Sequence, residues 1–200
     1  MSGALPTSPA FAELNISSFQ QTIVSKSITG RRQARQIGGQ YWKLNAVFPP
    51  MTRAQFAPIY AFMVKQRGAV ESFTVTPPVV GASQGPGGGT PLVNGASQTG
   101  RTIVTDGWPT GATLTILKAG DFIKFANHTK VYMVSADATC DTNGDSTISI
   151  EPALVTSPAT NTAITYASVP FTVYFENDAI EFQTDKSGFY QFELDMCEAF

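Results

Sequence analysis

GRRQARQIGGQYWKLNAVFPPMTRAQFAPIYAFMVKQRGAVESFTVTPP, residues 30–78, reads as a strand, one capped helix and a second strand with no slack between them. From Gln40 to Phe48, the residues Trp42, Leu44, Ala46 and Phe48 alternate with Tyr41, Lys43, Asn45 and Val47. That period of two describes a half-buried strand. Pro49-Pro50 ends it, because proline brings no amide hydrogen to a ladder and restricts the residue before it. Thr52 and Gln55 stand at capping-box spacing, and Met51 and Phe56 at the spacing of a hydrophobic staple. A helix is predicted over about 52–67, with Phe56, Ile59, Tyr60, Met63 and Val64 as its apolar stripe. Lys65 and Arg67 complement the carboxyl end of the helix dipole, and Gly68 supplies a left-handed stop. Pro58 deletes an intrahelical hydrogen bond, which predicts a kink or an irregular first turn. Nothing in the block carries catalytic chemistry.

The chain of 200 residues is 42% apolar and only 14% charged, the balance of a folded protein with one good core or two small ones. Strong helical periodicity occurs once, so the fold class is mainly β. A net charge of −2 gives no global electrostatic reason to bind nucleic acid or an anionic membrane. Its distribution is more telling. Before residue 70 the bases are Lys26, Arg31, Arg32, Arg35, Lys43, Arg53, Lys65 and Arg67, against Glu13 alone. After residue 170 the acids are Glu176, Asp178, Glu181, Asp185, Glu193, Asp195 and Glu198, against Lys186 alone. The two ends either pair within one sheet or meet across copies in an assembly. Cys140 and Cys197 are too few and too far apart for a disulfide scaffold or a metal motif, and are read as free thiols. The start at Met1 lacks a basic, apolar signal segment, and no run of about 18 apolar residues predicts a membrane-spanning helix. Synthesis in a cytosol is the expectation.

Thr76-Pro77-Pro78 and the glycine-rich run 81–89 break the pattern and read as a flexible lead-in. Short strands are predicted at 101–104, 113–117, 121–125, 130–135, 146–150 and 163–166, with turns at 126–129 and 141–145. Beyond Pro170 alternation returns in Phe171, Val173 and Phe175, followed by Ile180, Phe182 and the stretch 189–194. The first block has too few strands to cover its own apolar face. Residues 1–78 with 168–200 are therefore expected to form one discontinuous domain, interrupted by an inserted β-module over 79–167.

Chemical motifs are sparse. Gly95 to Thr102 nearly spells a phosphate loop, but Arg101 replaces its lysine and strand, not helix, follows. Asp137, Asp141, Asn143, Gly144, Asp145 and Glu151 suggest a calcium loop, yet aligning Gly144 with the required glycine puts Thr139 first and Ile150 twelfth. His128, the only histidine, falls in a predicted turn. Trp108 and Tyr132 are candidate glycan-stacking residues, while Trp42 and Tyr190 suit packing equally well. Arg31, Arg32 and Arg35 lack the surrounding positive charge of a nucleic-acid face and suit a subunit interface. No residue pattern calls for a catalytic centre, a cofactor or a metal.

The stretches GRRQARQIGGQYWKLNAVFPPMTRAQFAPIYAFMVKQRG (30–68), AGDFIKFANHTKVYMVSADA (119–138) and STISIEPAL (146–154) resemble minor and distal tail proteins of tailed bacteriophages. The resemblance runs from about residue 20 to the end. It implies a tail-tube-like β-sandwich with one flanking helix, interrupted by a small β-barrel-like module. It also implies a ring, commonly a hexamer, that joins the tail tube to the tip or baseplate of the virion, with no catalytic residues. The opposite charges of Arg31, Arg32, Arg35 and of Glu176, Asp178, Glu181 would then help fix subunit order. Two readings from other classes compete. One is a carbohydrate-binding module using Trp108, Tyr132 and the loops of 81–112; the other is a cell-wall hydrolase using His128 and the carboxylates.

Overall fold

A computed structural model of the chain describes residues 2–184, 186 and 188–200. Asp185, one of the acids named above, lies outside the described residues. In chain order the elements are β1 (Glu13–Lys26), β2 (Arg32–Val47), α1 (Arg53–Lys65), β3 (Phe73–Val75), β4 (Leu92–Val93), β5 (Thr102–Asp106), β6 (Leu114–Leu117) and β7 (Phe122–Phe125). They continue with β8 (Val131–Val134), β9 (Ala138–Cys140), β10 (Ser146–Glu151), β11 (Ile164–Thr165), β12 (Phe171–Phe175), β13 (Gln183–Thr184), β14 (Tyr190–Gln191) and β15 (Glu193–Glu198). The described residues are mainly β, with one helix and a nearly closed, barrel-like sheet. The chain divides into two compact units, one running to Phe73 and resuming over Val173–Glu198, the other comprising Thr74–Thr172 with Ala199–Phe200.

The first unit is built on a sheet ordered β1-β2-β15-β12-β3. β2 carries the predicted alternation: Trp42, Leu44, Ala46 and Phe48 are buried, and the residues between them half-buried. Leu194 and Met196 of β15 stand in register with Ala46 and Leu44 and join the same buried layer. α1 packs Phe56, Ile59 and Met63 inward. Its capping box forms, with Gln55 Oε1 accepting from the Thr52 N–H at 3.0 Å. The helix passes through Pro58 as a continuous element.

Two details of the helix differ from expectation. Val64 is exposed, and the last inward position is Gln66, one turn beyond Met63 on the same face. Its amide is satisfied there, Nε2 donating to the Phe62 carbonyl at 2.8 Å and Oε1 accepting from the Ser2 hydroxyl. The left-handed stop begins at Arg67 (φ 57°) and continues at Gly68 (φ 67°). A side chain at Gly68 would bring its Cβ to 2.7 Å from Asp178 Oδ1, so the glycine admits that carboxylate as well as ending the helix. Ile180 and Phe182 do not continue the alternation of β12; they precede the short β13 in an irregular segment, with Phe182 exposed.

The second unit is a sheet ordered β11-β7-β8-β10-β5-β4, with β6 and β9 paired separately. Its two ends approach each other through a bridge between Leu92 and Ala163. Val93 N–H donates to Thr162 O and Ile164 N–H to Pro91 O, both at 3.0 Å. Val93, Ile103, Ile123, Phe125, Tyr132, Val134, Ile148 and Ile150 fill the interior.

The glycine-rich run, expected as a flexible lead-in, is packed into the unit. Gly81, Gly85 and Gly87 are buried, and a Cβ at Gly85 would fall 2.2 Å from the Ile116 carbonyl oxygen. The glycines are there because backbone passes against backbone. Asp121, itself buried, organises the crossing. Its carboxylate accepts from Gln84 N–H (2.7 Å), Gly85 N–H (3.2 Å), Lys118 N–H (2.8 Å) and the Ser83 hydroxyl (3.0 Å).

Candidate assembly surface

β1 and β2 pair in antiparallel register from Glu13↔Val47 to Lys26↔Arg32, with a shift between Gln20 and Thr22. β15 pairs with β2 only between Lys43 and Val47. Beyond that stretch the hairpin is a two-stranded arm, exposed on both faces over 17–37. The turn is closed by Ser27 N–H to Arg31 O at 3.0 Å and Gly30 N–H to Ser27 O at 2.9 Å. Phe19, Ile23, Val24, Ile28 and Ile37 lie exposed along it, and Ile28 at the tip is fully so. A lone two-stranded ribbon with apolar side chains and open edges is marginal in water, and invites a partner. β1 went unread in the sequence; the signal was Phe19, Ile23 and Val24 opposite the basic strand.

Arg31, Arg32 and Arg35 all sit exposed at the end of this arm, and among the described residues none makes an ion pair. The acids named with them divide. Glu176 pairs with Lys43, whose ammonium that hydrogen bond holds above the usual lysine value. Asp178 accepts from Ala69 N–H at 3.2 Å, while Glu181 is exposed. Pairing within one unit therefore accounts for Lys43, and the arginines are left over.

Asp178 and Glu181 line a groove of about 710 Å³ together with Val47, Phe182, Phe192 and Glu193. Phe192 is buried beneath it, stacked on Phe48 at 4.5 Å between ring centres, and Phe56 stacks on Tyr190 at the same spacing. Asn45 Nδ2 donates to Glu193 Oε1 at 2.5 Å and to Asp195 Oδ1 at 2.8 Å, fixing one edge of the groove.

In the second unit the glycan-stacking candidates are corrected. Trp108 and Tyr132 are both buried in the barrel core. Trp108 Nε1 donates to Thr105 Oγ1 at 2.8 Å, and the Tyr132 hydroxyl accepts from Val155 N–H at 3.2 Å. A sugar needs an open aromatic face, and these rings have none. The 141–145 turn satisfies itself: Asp141 accepts from Asn143 and Asp145 N–H at 2.8 and 2.9 Å, which holds its carboxyl below the usual range. Among the described residues no group of three or more His, Cys, Asp or Glu is placed to hold a metal. After Gly95–Arg101 the chain enters β5, so no helix stands where a phosphate loop needs one. No described helix is long and apolar enough to cross a membrane.

His128 does not join a carboxylate. Its ring nitrogens are buried without a hydrogen-bond partner, and the Ser157 backbone lies near them without bonding geometry. Burial pushes the imidazole below its ordinary value, opposed by Ser157. The unfolded chain then takes up the proton first, so folding stability holds above the ordinary imidazole value of 6.5 and falls as pH drops below it. His128→Gln should flatten that loss between pH 7 and 5, read as the pH dependence of the thermal midpoint.

Residues 83–169 match the family model of the distal tail protein pb9, B domain. This stretch is similar to a phage distal tail protein domain. The matched residues fall inside the second unit, so the resemblance to distal tail proteins of tailed phages holds on the barrel-like module itself. No curated protein matches the chain.

Proposed function

We propose that the chain is a structural subunit of a bacteriophage tail that forms a homo-oligomeric ring, a hexamer by resemblance, joining the tail tube to the tip or baseplate. The discontinuous first unit makes the ring, and the distal tail B domain contacts a neighbouring tail component. The observation that carries this is the exposed β1–β2 arm, alongside the B-domain match. An arm with apolar side chains, unpaired arginines and open strand edges is economical when neighbours cover it, and ring closure covers every copy alike. The role is assembly, without a catalytic step, in the virion tail after synthesis in the host cytoplasm. Electron cryomicroscopy of intact particles tests it. A closed ring of this chain at the end of the tail tube is expected; a monomer elsewhere, or a different chain filling that junction, overturns the reading.

A further inference from the structure

The basic arm and the acidic groove belong to one unit but lie at opposite ends of one strand. Arg32 opens β2, and Val47, which closes it, lines the groove. At roughly 3.3 Å per residue the two stand roughly 50 Å apart. A chain therefore cannot place its own arm tip in its own groove without abandoning the hairpin.

We propose that the arm tip of one copy seats in the groove of the next copy, Ile28 entering against Phe182 and Phe192 while Arg31, Arg32 and Arg35 meet Asp178, Glu181 and Glu193. This rests on the assembly reading above and names its interface. The two surfaces match in kind. The tip offers one fully exposed isoleucine flanked by three unpaired cations, and the groove offers an aromatic floor rimmed by three carboxylates. An apolar anchor inside a charged rim is the arrangement in which the anchor supplies most of the affinity and the rim selects the partner. Charge also argues against the competing arrangement of arm against arm. Two tips side by side would bring Lys26, Arg31, Arg32 and Arg35 of each into mutual repulsion. Tip and groove are different patches, so the contact is head-to-tail; it closes into a ring when the rotation between copies divides a full turn.

The test reverses each surface separately in the full chain. Arg31→Glu/Arg32→Glu/Arg35→Glu reverses the tip. Glu181→Lys/Glu193→Lys reverses the rim while leaving Asp178 on the Ala69 amide. All five side chains are exposed, and circular dichroism checks that the fold is kept. By sedimentation velocity, each variant alone should associate about tenfold or more weakly than wild type, while an equimolar mixture and a chain carrying both sets should recover assembly. A variant that assembles like wild type, or a mixture that fails to recover, overturns this interface but leaves the assembly reading standing if wild type still oligomerises. A wild-type chain that stays monomeric overturns both.

Discussion

Replacing Asp121 by alanine should unfold the barrel-like unit at a markedly lower temperature while the first unit keeps its own transition. The buried carboxylate serves three backbone amides and one hydroxyl. Those amides come from two segments, Gln84–Gly85 and Lys118, which the carboxylate ties together beside the backbone bond from Gly87 N–H to Ile116 O at 2.9 Å. Alanine leaves the donors in a space shaped for oxygen, and each buried donor left unpaired costs about 1–3 kcal/mol. Allowing for water entering the gap, the sum is about 3–5 kcal/mol, at the upper end of single-residue effects. For a unit of this size that corresponds to a midpoint lower by about 15–25 °C. Asp121→Asn keeps one acceptor oxygen and should lose about half as much. The two tryptophans separate the readouts, since Trp42 is buried in the first unit and Trp108 in the second. Fluorescence of the Trp42→Phe background therefore follows the barrel alone. A loss under about 1 kcal/mol would mean that the carboxylate is replaceable there.

What could be read from the residues, and what could not, follows from the physics of each signal. β2 and α1 were legible because one face of each is buried and the other is not, which writes a period into the chain. The arm was not, because β1 is exposed on both faces over most of its length and so carries no alternation. β4 and β9, of 2 and 3 residues, are too short to show a period and exist through their neighbours. Trp108 and Tyr132 looked like a binding pair because composition does not reveal burial; their polar atoms find partners inside the core instead. The segregation of charge was visible, but only the fold shows that Lys43 consumes Glu176 and leaves the arginines unpaired. Phe182 and the stretch 189–194 read as returning strand alternation; Phe182 lies exposed outside any strand, and it and Phe192 line the groove.

The glycine-rich run is where one composition supports two opposite structures, and three substitutions decide between them. Gly89 has φ +67° and an added Cβ would stand 2.1 Å from the Gly107 carbonyl oxygen, while Thr90 N–H donates to that same oxygen at 2.9 Å. Gly107 answers in kind, since its own Cβ would meet the Thr90 carbonyl oxygen at 2.5 Å. The two strands of backbone therefore touch, beside Trp108, with no room for a methyl group on either. Gly89→Ala must both adopt a left-handed conformation and push that contact apart, at a cost of about 3 kcal/mol or more. Gly95 serves as the control: its φ is +95°, but nothing stands within 4 Å of its Cβ position. Gly95→Ala carries backbone strain alone, about 1–2 kcal/mol. Gly85→Ala isolates the other term, because its conformation is ordinary and only the 2.2 Å approach to the Ile116 oxygen opposes the methyl group. Denaturant titration of the three variants should rank Gly89 above Gly95, with Gly85 also well above it. Equal small losses at all three would return the run to the role of a slack linker. Losses in the expected order make it a load path, in which glycine is required so that Asp121 can hold the loop against the barrel.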